Sequence, residues 1–223
     1  MTSDADWWTR PRRIAVVVDN PSWVLPFAEE LVEALNADGD QATLFRDYDQ
    51  IPAGTAAFFL GCIRIAPMPV LERNRFNLVV HASPLPKGRG FSPLTWLILE
   101  GQNEVPVCLL HAAPDVDSGP IIYREDLRFD GHELVEEMRL ALGRSSIGLC
   151  RRFLSEATPP AGQQQVGEPS YYQRRKPDDS ALDPHKTIAE QFDLLRTVDN
   201  RKYPAFFDYR GHRYEIRITK QEK

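Results

Sequence analysis

Four short apolar runs constrain this chain more than any other feature. "RIAVVVD" (13–19), "QATLF" (41–45), "AAFFL" (56–60) and "NLVVH" (77–81) are too short to be stable helices and are rich in β-branched or aromatic residues. Near-continuous apolar runs of this length mark strands buried on both faces, as in a parallel sheet covered on each side. Between the first two, Phe27, Leu31 and Leu35 recur at helical spacing, with Glu29, Glu30 and Glu33 mostly on the wet side. "SPLTWLILEG" reads as a short helix with Pro93 in its first turn. "VPVCLLHAA" and "GPIIYRED" read as a strand pair joined across "PDVDSG". From Gly131 a long amphipathic helix follows, with Leu134, Met138 and Leu142 on one stripe. Strands alternating with helices predict an α/β domain built on a mainly parallel sheet.

The pattern changes after Leu154. "SEATPPAGQQQVGEPS" offers little that packs and reads as a linker. Beyond it come a basic stretch, "YYQRRKPDDS", a helix expected from about Pro184 to Val198 with Ile188, Phe192 and Leu195 inward, and a hairpin turning on Arg210 and Gly211. The expected division is a main domain over 1–156, a linker over 157–170 and a small helix-hairpin region over 171–223. That last region is too small to fold alone, so it must pack on the main domain or on a second copy of the chain.

Composition excludes some roles. A formal net charge of -5 argues against nucleic acid as the main partner, because phosphate backbones need a basic face. Arg10 to Arg13 and Arg174 to Lys176 are basic clusters that suit a small phosphorylated ligand. The three cysteines, Cys62, Cys108 and Cys150, have no zinc-type spacing and an odd count, so they read as reduced, buried hydrophobes. With no apolar stretch of membrane-spanning length and no leader-like h-region, a soluble cytoplasmic protein is expected, with no membrane partner.

The first strand leads into "NPSWVLP" rather than GxGxxG, and no Walker loop is present. Any ligand at the carboxyl ends of the strands is therefore held without a glycine-rich phosphate cradle. His81 ends its strand and so lies at that edge, where a parallel α/β sheet binds ligands. Asp117 stands in the turn "DVDSG". Together they would make a base with an orienting carboxylate. On spacing alone, His81 reads more readily as a strand-end hydrogen bonder, and the turn as a tight turn favoured by Asp and Gly.

"HASPLPKGRG" followed later by "DVDSG" resembles the 10-formyltetrahydrofolate-dependent formyltransferases, which carry an HxSxLPxxxG loop and a later DxG turn. "VDNPSWVLPFAEEL", "YYQRRKPDDSALD" and "EQFDLLRTVDNRKYPAFFDYRGHRYEIRI" resemble the branch acting on nucleotide-linked 4-amino sugars, including pseudaminic acid precursors. The resemblance implies a formyltransferase-type, Rossmann-like sheet with a C-terminal helix and β-hairpin. It implies N-formyl transfer from 10-formyltetrahydrofolate to the amine of a nucleotide-linked 4-amino-4,6-dideoxy sugar, with no metal. A homodimer through the C-terminal region is also expected.

The resemblance assigns His81 as base and Asp117 as its orienting partner. It assigns the folate donor to Gly61, Cys62, Ile63, Ile65, Leu85, Pro86, Asp115 and Val116. Trp23, Ser83, Lys87, Arg89 and Gly90 are the candidates for the amino-sugar nucleotide, with a solvated basic loop as the plain alternative for Lys87 and Arg89. Gly88 and Gly90 are expected to let the loop pass close to a flat ligand. One position departs from the family. Where its members have Asn two residues before the His, as a donor to the formyl oxygen, this chain has Val79. Asn103 is the favoured replacement and Asn77 the weaker one. The departure keeps open a hydrolase passing the formyl group to water and a catalytically silent folate or nucleotide-sugar binder.

Overall fold

The computed structural model describes residues 8–221. Residues 1–7, on which the expectation of no leader rests in part, lie outside them, as do residues 222–223. Six strands form the main sheet: β1 (Arg13–Val17), β2 (Gln41–Phe45), β3 (Gly54–Phe59), β4 (Asn74–His81), β6 (Glu104–His111) and β7 (Ile121–Arg128). A two-residue strand, β5 (Arg89–Gly90), stands apart from it. The order across the sheet is β2-β1-β3-β4-β6-β7. The first four run parallel, whereas β6 and β7 add on antiparallel, so the sheet is mixed at one side. The parallel strands are the ones the sequence marks as apolar on both faces. β7, an edge strand, carries Arg124, Glu125, Asp126 and Arg128, and charge on an edge discourages further pairing.

One face of the sheet is covered by α1 (Leu25–Ala37) and α4 (Val135–Ser155), which bury Leu31, Leu35, Met138, Leu149 and Phe153 against Val16, Phe58 and Leu78. The other face holds a smaller cluster around Val17, Tyr48, Phe59 and Leu71, capped by a 3₁₀ turn and by the short α2 (Met68–Leu71). Phe153 is fully buried, with Trp8, Phe58 and Phe76 edge-on around it at centroid distances of 5.3–6.2 Å. Arg12 is buried beside Asp40, with its Nη2 2.8 Å from Oδ2, and its Nη1 donates to Leu154 O at the end of α4. Among the described residues no helix is long and apolar enough to cross a membrane.

The C-terminal stretch folds onto this body. α3 (Pro93–Leu99) lies against α5 (Phe192–Thr197), and buried Arg196 donates to Asn103 Oδ1. The helix expected from Pro184 is shorter than the spacing predicts. Asp183, Thr187, Glu190 and Gln191 spend their side chains on nearby backbone groups, which holds residues 183–188 in turns, and Ile188 is exposed. A 3₁₀ turn, Ala189–Gln191, then leads into α5. The hairpin of β9 (Ala205–Tyr209) and β10 (His212–Ile216) turns on Arg210 and Gly211, both at positive φ, as a tight hairpin turn requires.

The segment expected as a linker is attached at points along it. Gln163 pairs with Ile121 on the sheet edge, Ser170 bonds Gly88 and Arg89, and the following β8 (Tyr171–Tyr172) pairs in parallel with β5. Its polar composition hides this, because it docks through backbone and amide hydrogen bonds rather than apolar surface.

Replacing Phe153 with Ala is expected to cost about 3–5 kcal/mol, since the ring's removal leaves a cavity among rigid aromatic neighbours. A urea titration reads this as a lower midpoint at unchanged m; a cost below about 1 kcal/mol would mean the cluster collapses into the gap.

Candidate functional site

The chain leaves β1 toward one side to form α1 and β2, then crosses back to form β3 on the other side of β1. The carboxyl ends of β1 and β3 therefore flank a crevice, the usual ligand position in such sheets. A cavity of about 770 Å³ opens there and extends past the end of β4. Its wall includes Trp23, residues 61–66, Val79, His81, Val116 and Asp117.

Asp19, just beyond β1, builds one side of that wall. Its buried carboxylate accepts from the backbone N–H of Ile63 and of Arg64, both at 2.9 Å, and from Asn20 Nδ2 at 2.8 Å. Burial alone would raise its pKa, but the hydrogen bonds from Asn20, Ile63 and Arg64 outweigh it and hold the carboxyl below its ordinary value. The Tyr48 hydroxyl donates to Arg64 O at 2.6 Å, and the Arg64 guanidinium lies over the Tyr48 ring. The loop after β3 is thus fixed by charge and backbone bonds, leaving Gly61, Cys62, Ile63 and Ile65 free to line the cavity. Burial pushes the Cys62 thiol up to about 11, as it does Cys108, so neither is a nucleophile near neutral pH.

His81 stands at the end of β4, 6 % exposed. Its Nε2 lies 2.8 Å from Gly88 O and its Nδ1 3.3 Å from Asp117 Oδ2. Both ring nitrogens face acceptors, whereas a neutral imidazole has one N–H to give. The arrangement is completed only when the ring holds two protons, which suits a group that takes a proton during a reaction. Asp117 also accepts from Gly90 N at 2.9 Å, and its backbone is left-handed, at φ 49°. A non-glycine residue in that region marks a turn held by its surroundings.

The glycines of this loop pass close to the protein's own chain, and Gly90 also lines the cavity. A Cβ on Gly90, at φ +98°, would lie 2.7 Å from Tyr172 O, within the β5–β8 pairing. Gly119, which the sequence marks only as part of a turn, is tighter still: a Cβ there would meet His111 O at 1.8 Å.

Several expected site residues stand elsewhere. Asn103 precedes β6, whose antiparallel register sets Cys108 opposite His81, so five residues of chain separate Asn103 from that level, roughly 16 Å of strand. Its side chain is engaged with Arg196 and it is not in the cavity wall. Asn77 is likewise turned away, its amide donating to Leu71 O and Asn74 O. Lys87 is exposed outside the cavity, and Arg89 turns away to bond Gln165. Ser83 is fully buried beneath Gly88, and Leu85, Pro86 and Asp115 also lie off the wall. Arg139, Tyr171, Tyr172 and Gln173 also line it; the last three open the segment "YYQRRKPDDSALD", whereas nothing in its local sequence marks Arg139. Arg139 is held 2.8 Å from Asp199 and near the Trp23 ring.

The family model described as formyl transferase matches residues 48–144, which include β3, β4, His81 and Asp117. Over those residues the chain is similar to the formyl transferase family. A methionyl-tRNA formyltransferase from Clostridium thermocellum matches its structure with a TM-score of 0.80 at 24% identity, covering 94% of this chain and 93% of that one. A 4-N formyltransferase from Francisella tularensis matches at a TM-score of 0.72 and 14% identity, covering 96% and 100%. HypX from Aquifex aeolicus, in complex with tetrahydrofolic acid, matches at 0.72 and 15%, covering 93% of this chain and 38% of that one. These structures share the fold of the formyl transferase domain.

Two outcomes are expected of this geometry. Because the folded Asp19 carboxyl sits below its unfolded value, its stabilisation is complete above pH about 3.9 and is lost as pH falls through the lower, folded value. Stability measured from pH 6 down to acid, roughly the range over which a carboxylate titrates, should therefore fall less steeply in Asp19→Asn; identical slopes would remove Asp19 from the acid response. Gly119→Ala should abolish soluble folded protein or lower stability by more than about 4 kcal/mol, an exceptional loss for one residue, measured by denaturant titration. A near-neutral result would show that the turn and His111 separate freely.

Proposed function

We propose that this chain transfers the formyl group of 10-formyltetrahydrofolate to the amine of a nucleotide-linked 4-amino-4,6-dideoxy sugar. The observation that carries this reading is His81 set at the cavity between Gly88 O and Asp117 Oδ2, within the region matched to the formyl transferase family. In this reading the neutral amine attacks the formyl carbon, and a C–N bond forms as the carbonyl oxygen takes the negative charge. Asp117 keeps Nδ1, and Nε2 exchanges Gly88 O for the amine and accepts its proton. The tetrahedral intermediate then collapses, the bond to N10 of the folate breaks, and His81 returns the proton to that nitrogen. No covalent enzyme intermediate is needed.

Val79 cannot donate to the oxyanion, so the doubly protonated His81 supplies that stabilisation itself. The folate donor is supported by the largely apolar wall of residues 61–66, Val79, Leu110 and Val116, and by the presence of HypX in complex with tetrahydrofolic acid among the matching structures. A phosphorylated sugar is supported by Trp23, Phe91 and Arg139, which also line the cavity, and by the Arg174 guanidinium 5.9 Å from the Phe91 ring. Formyl transfer to a nitrogen atom is further supported by the 4-N formyltransferase among the matching structures.

Purified protein incubated with the folate donor and a panel of UDP-, dTDP- and GDP-linked amino sugars should yield one N-formylated sugar, identified by mass spectrometry. Release of formate without sugar product would replace transfer by hydrolysis, and no turnover of the donor would leave only binding. With the cognate sugar, His81→Asn should lower kcat by about 10²- to 10⁴-fold, the usual worth of a positioned acid-base group. Asp117→Asn should also fall heavily. Near-normal turnover in His81→Asn would sink the assignment.

A further inference from the structure

The segment over 157–170 meets the catalytic loop at one side chain that uses both ends of its amide. Gln165 Nε2 donates to the carbonyl oxygens of Asp117, at 2.7 Å, and of Gly119, at 2.9 Å. Its Oε1 accepts from Arg89 Nη2 at 2.7 Å. Five residues on, Ser170 completes the attachment: its Oγ accepts from Gly88 N and its carbonyl from Arg89 N, both at 2.9 Å. The Asp117 turn and the loop around Arg89 are the two pieces that supply His81 with its acceptors, Asp117 Oδ2 and Gly88 O. They come from different parts of the chain. Besides His81 itself and the Gly90 N–H on Asp117 Oδ2, the Gln165 side chain links them.

We infer that Gln165 is a positioning residue: it fixes the left-handed Asp117 turn against the Gly88–Arg89 loop and thereby keeps the two acceptors of His81 in register. This rests on the reading of His81 and Asp117 as the catalytic pair. Gln165 is absent from the cavity wall, so it acts through its neighbours and not on substrate. A displacement of about 1 Å at a catalytic group costs on the order of 10²-fold. The effect should therefore fall on turnover while substrate affinity is preserved.

Gln165→Ala and Gln165→Glu in the full-length protein test this, with exposed Gln164→Ala as the neighbouring control. The glutamate keeps an acceptor for Arg89 but sets a carboxylate against two carbonyl oxygens, so it separates the two halves of the contact. Both Gln165 variants should lose about 10- to 100-fold in kcat, with each KM within about twofold of the parent. The Gly90 amide, measured by NMR hydrogen exchange without substrate, should exchange faster in both. Gln164→Ala should match the parent in each measurement. A kcat within about twofold of the parent, a KM rise matching the kcat loss, or unchanged Gly90 exchange would overturn the inference. If Gln165→Ala does not fold, Gln165→Glu decides by the same measures. If the parent transfers no formyl group to any sugar, the functional reading falls, while Gly90 exchange still decides whether Gln165 holds the turn.

Discussion

The Asp117 carboxylate meets two groups that nothing else brings together. Its Oδ2 faces His81 Nδ1 and also takes the Gly90 N–H, so one oxygen joins the end of β4 to the short β5. For this to happen the turn must run left-handed at a residue with a side chain, and Gly119 must lie under His111 with no Cβ. The loop opposite must run close to Tyr172, which Gly90 allows. Each condition is costly alone; together they hold one carboxylate oxygen to within bonding distance of an imidazole. An arrangement of this kind depends on tertiary constraint more than on local preference.

How much of this was legible follows from where the information lies. The buried strands were plain because burial on both faces leaves a continuous apolar run, and every one of the four runs became a parallel strand. His81 and Asp117 were legible as a pair through the resemblance of "HASPLPKGRG" and "DVDSG" to the formyltransferase motifs; their spacing alone left a structural hydrogen bonder and a tight turn open. Asn103 was misplaced because adjacency in sequence to β6 says nothing about which end of an antiparallel strand reaches the cavity. Arg139 was invisible on sequence alone: an arginine on the polar side of an amphipathic helix looks solvated until Asp199 and Trp23, far along the chain, are brought beside it.

The polar stretch around Gln165 was hidden for a different reason. Sequence reading equates packing with apolar content, yet this segment is secured by side-chain amides and backbone pairing, which polar composition supplies as well as any other. Val79 is the converse case. A valine in a buried strand is the least noteworthy residue there, and it matters only because it lines the cavity two positions before His81, where a donor would otherwise stand.

The attachment of Ser170 to Gly88 joins positions 82 residues apart, and this bears on how the molecule comes into being. As the chain leaves the ribosome, all six strands of the main sheet are available by Arg128, but the loop beside His81 lacks its strand partner until Tyr172 has emerged. The sheet can assemble first, because its strand pairings are closer in sequence, while this closure waits for later residues. The surroundings of His81 are thus completed after the sheet that carries it. A nascent chain interrupted between those points would carry the sheet and its histidine, with the acidic turn and the glycine loop joined through Gly90 N–H and Asp117 but without the attachments from Gln165 and Ser170.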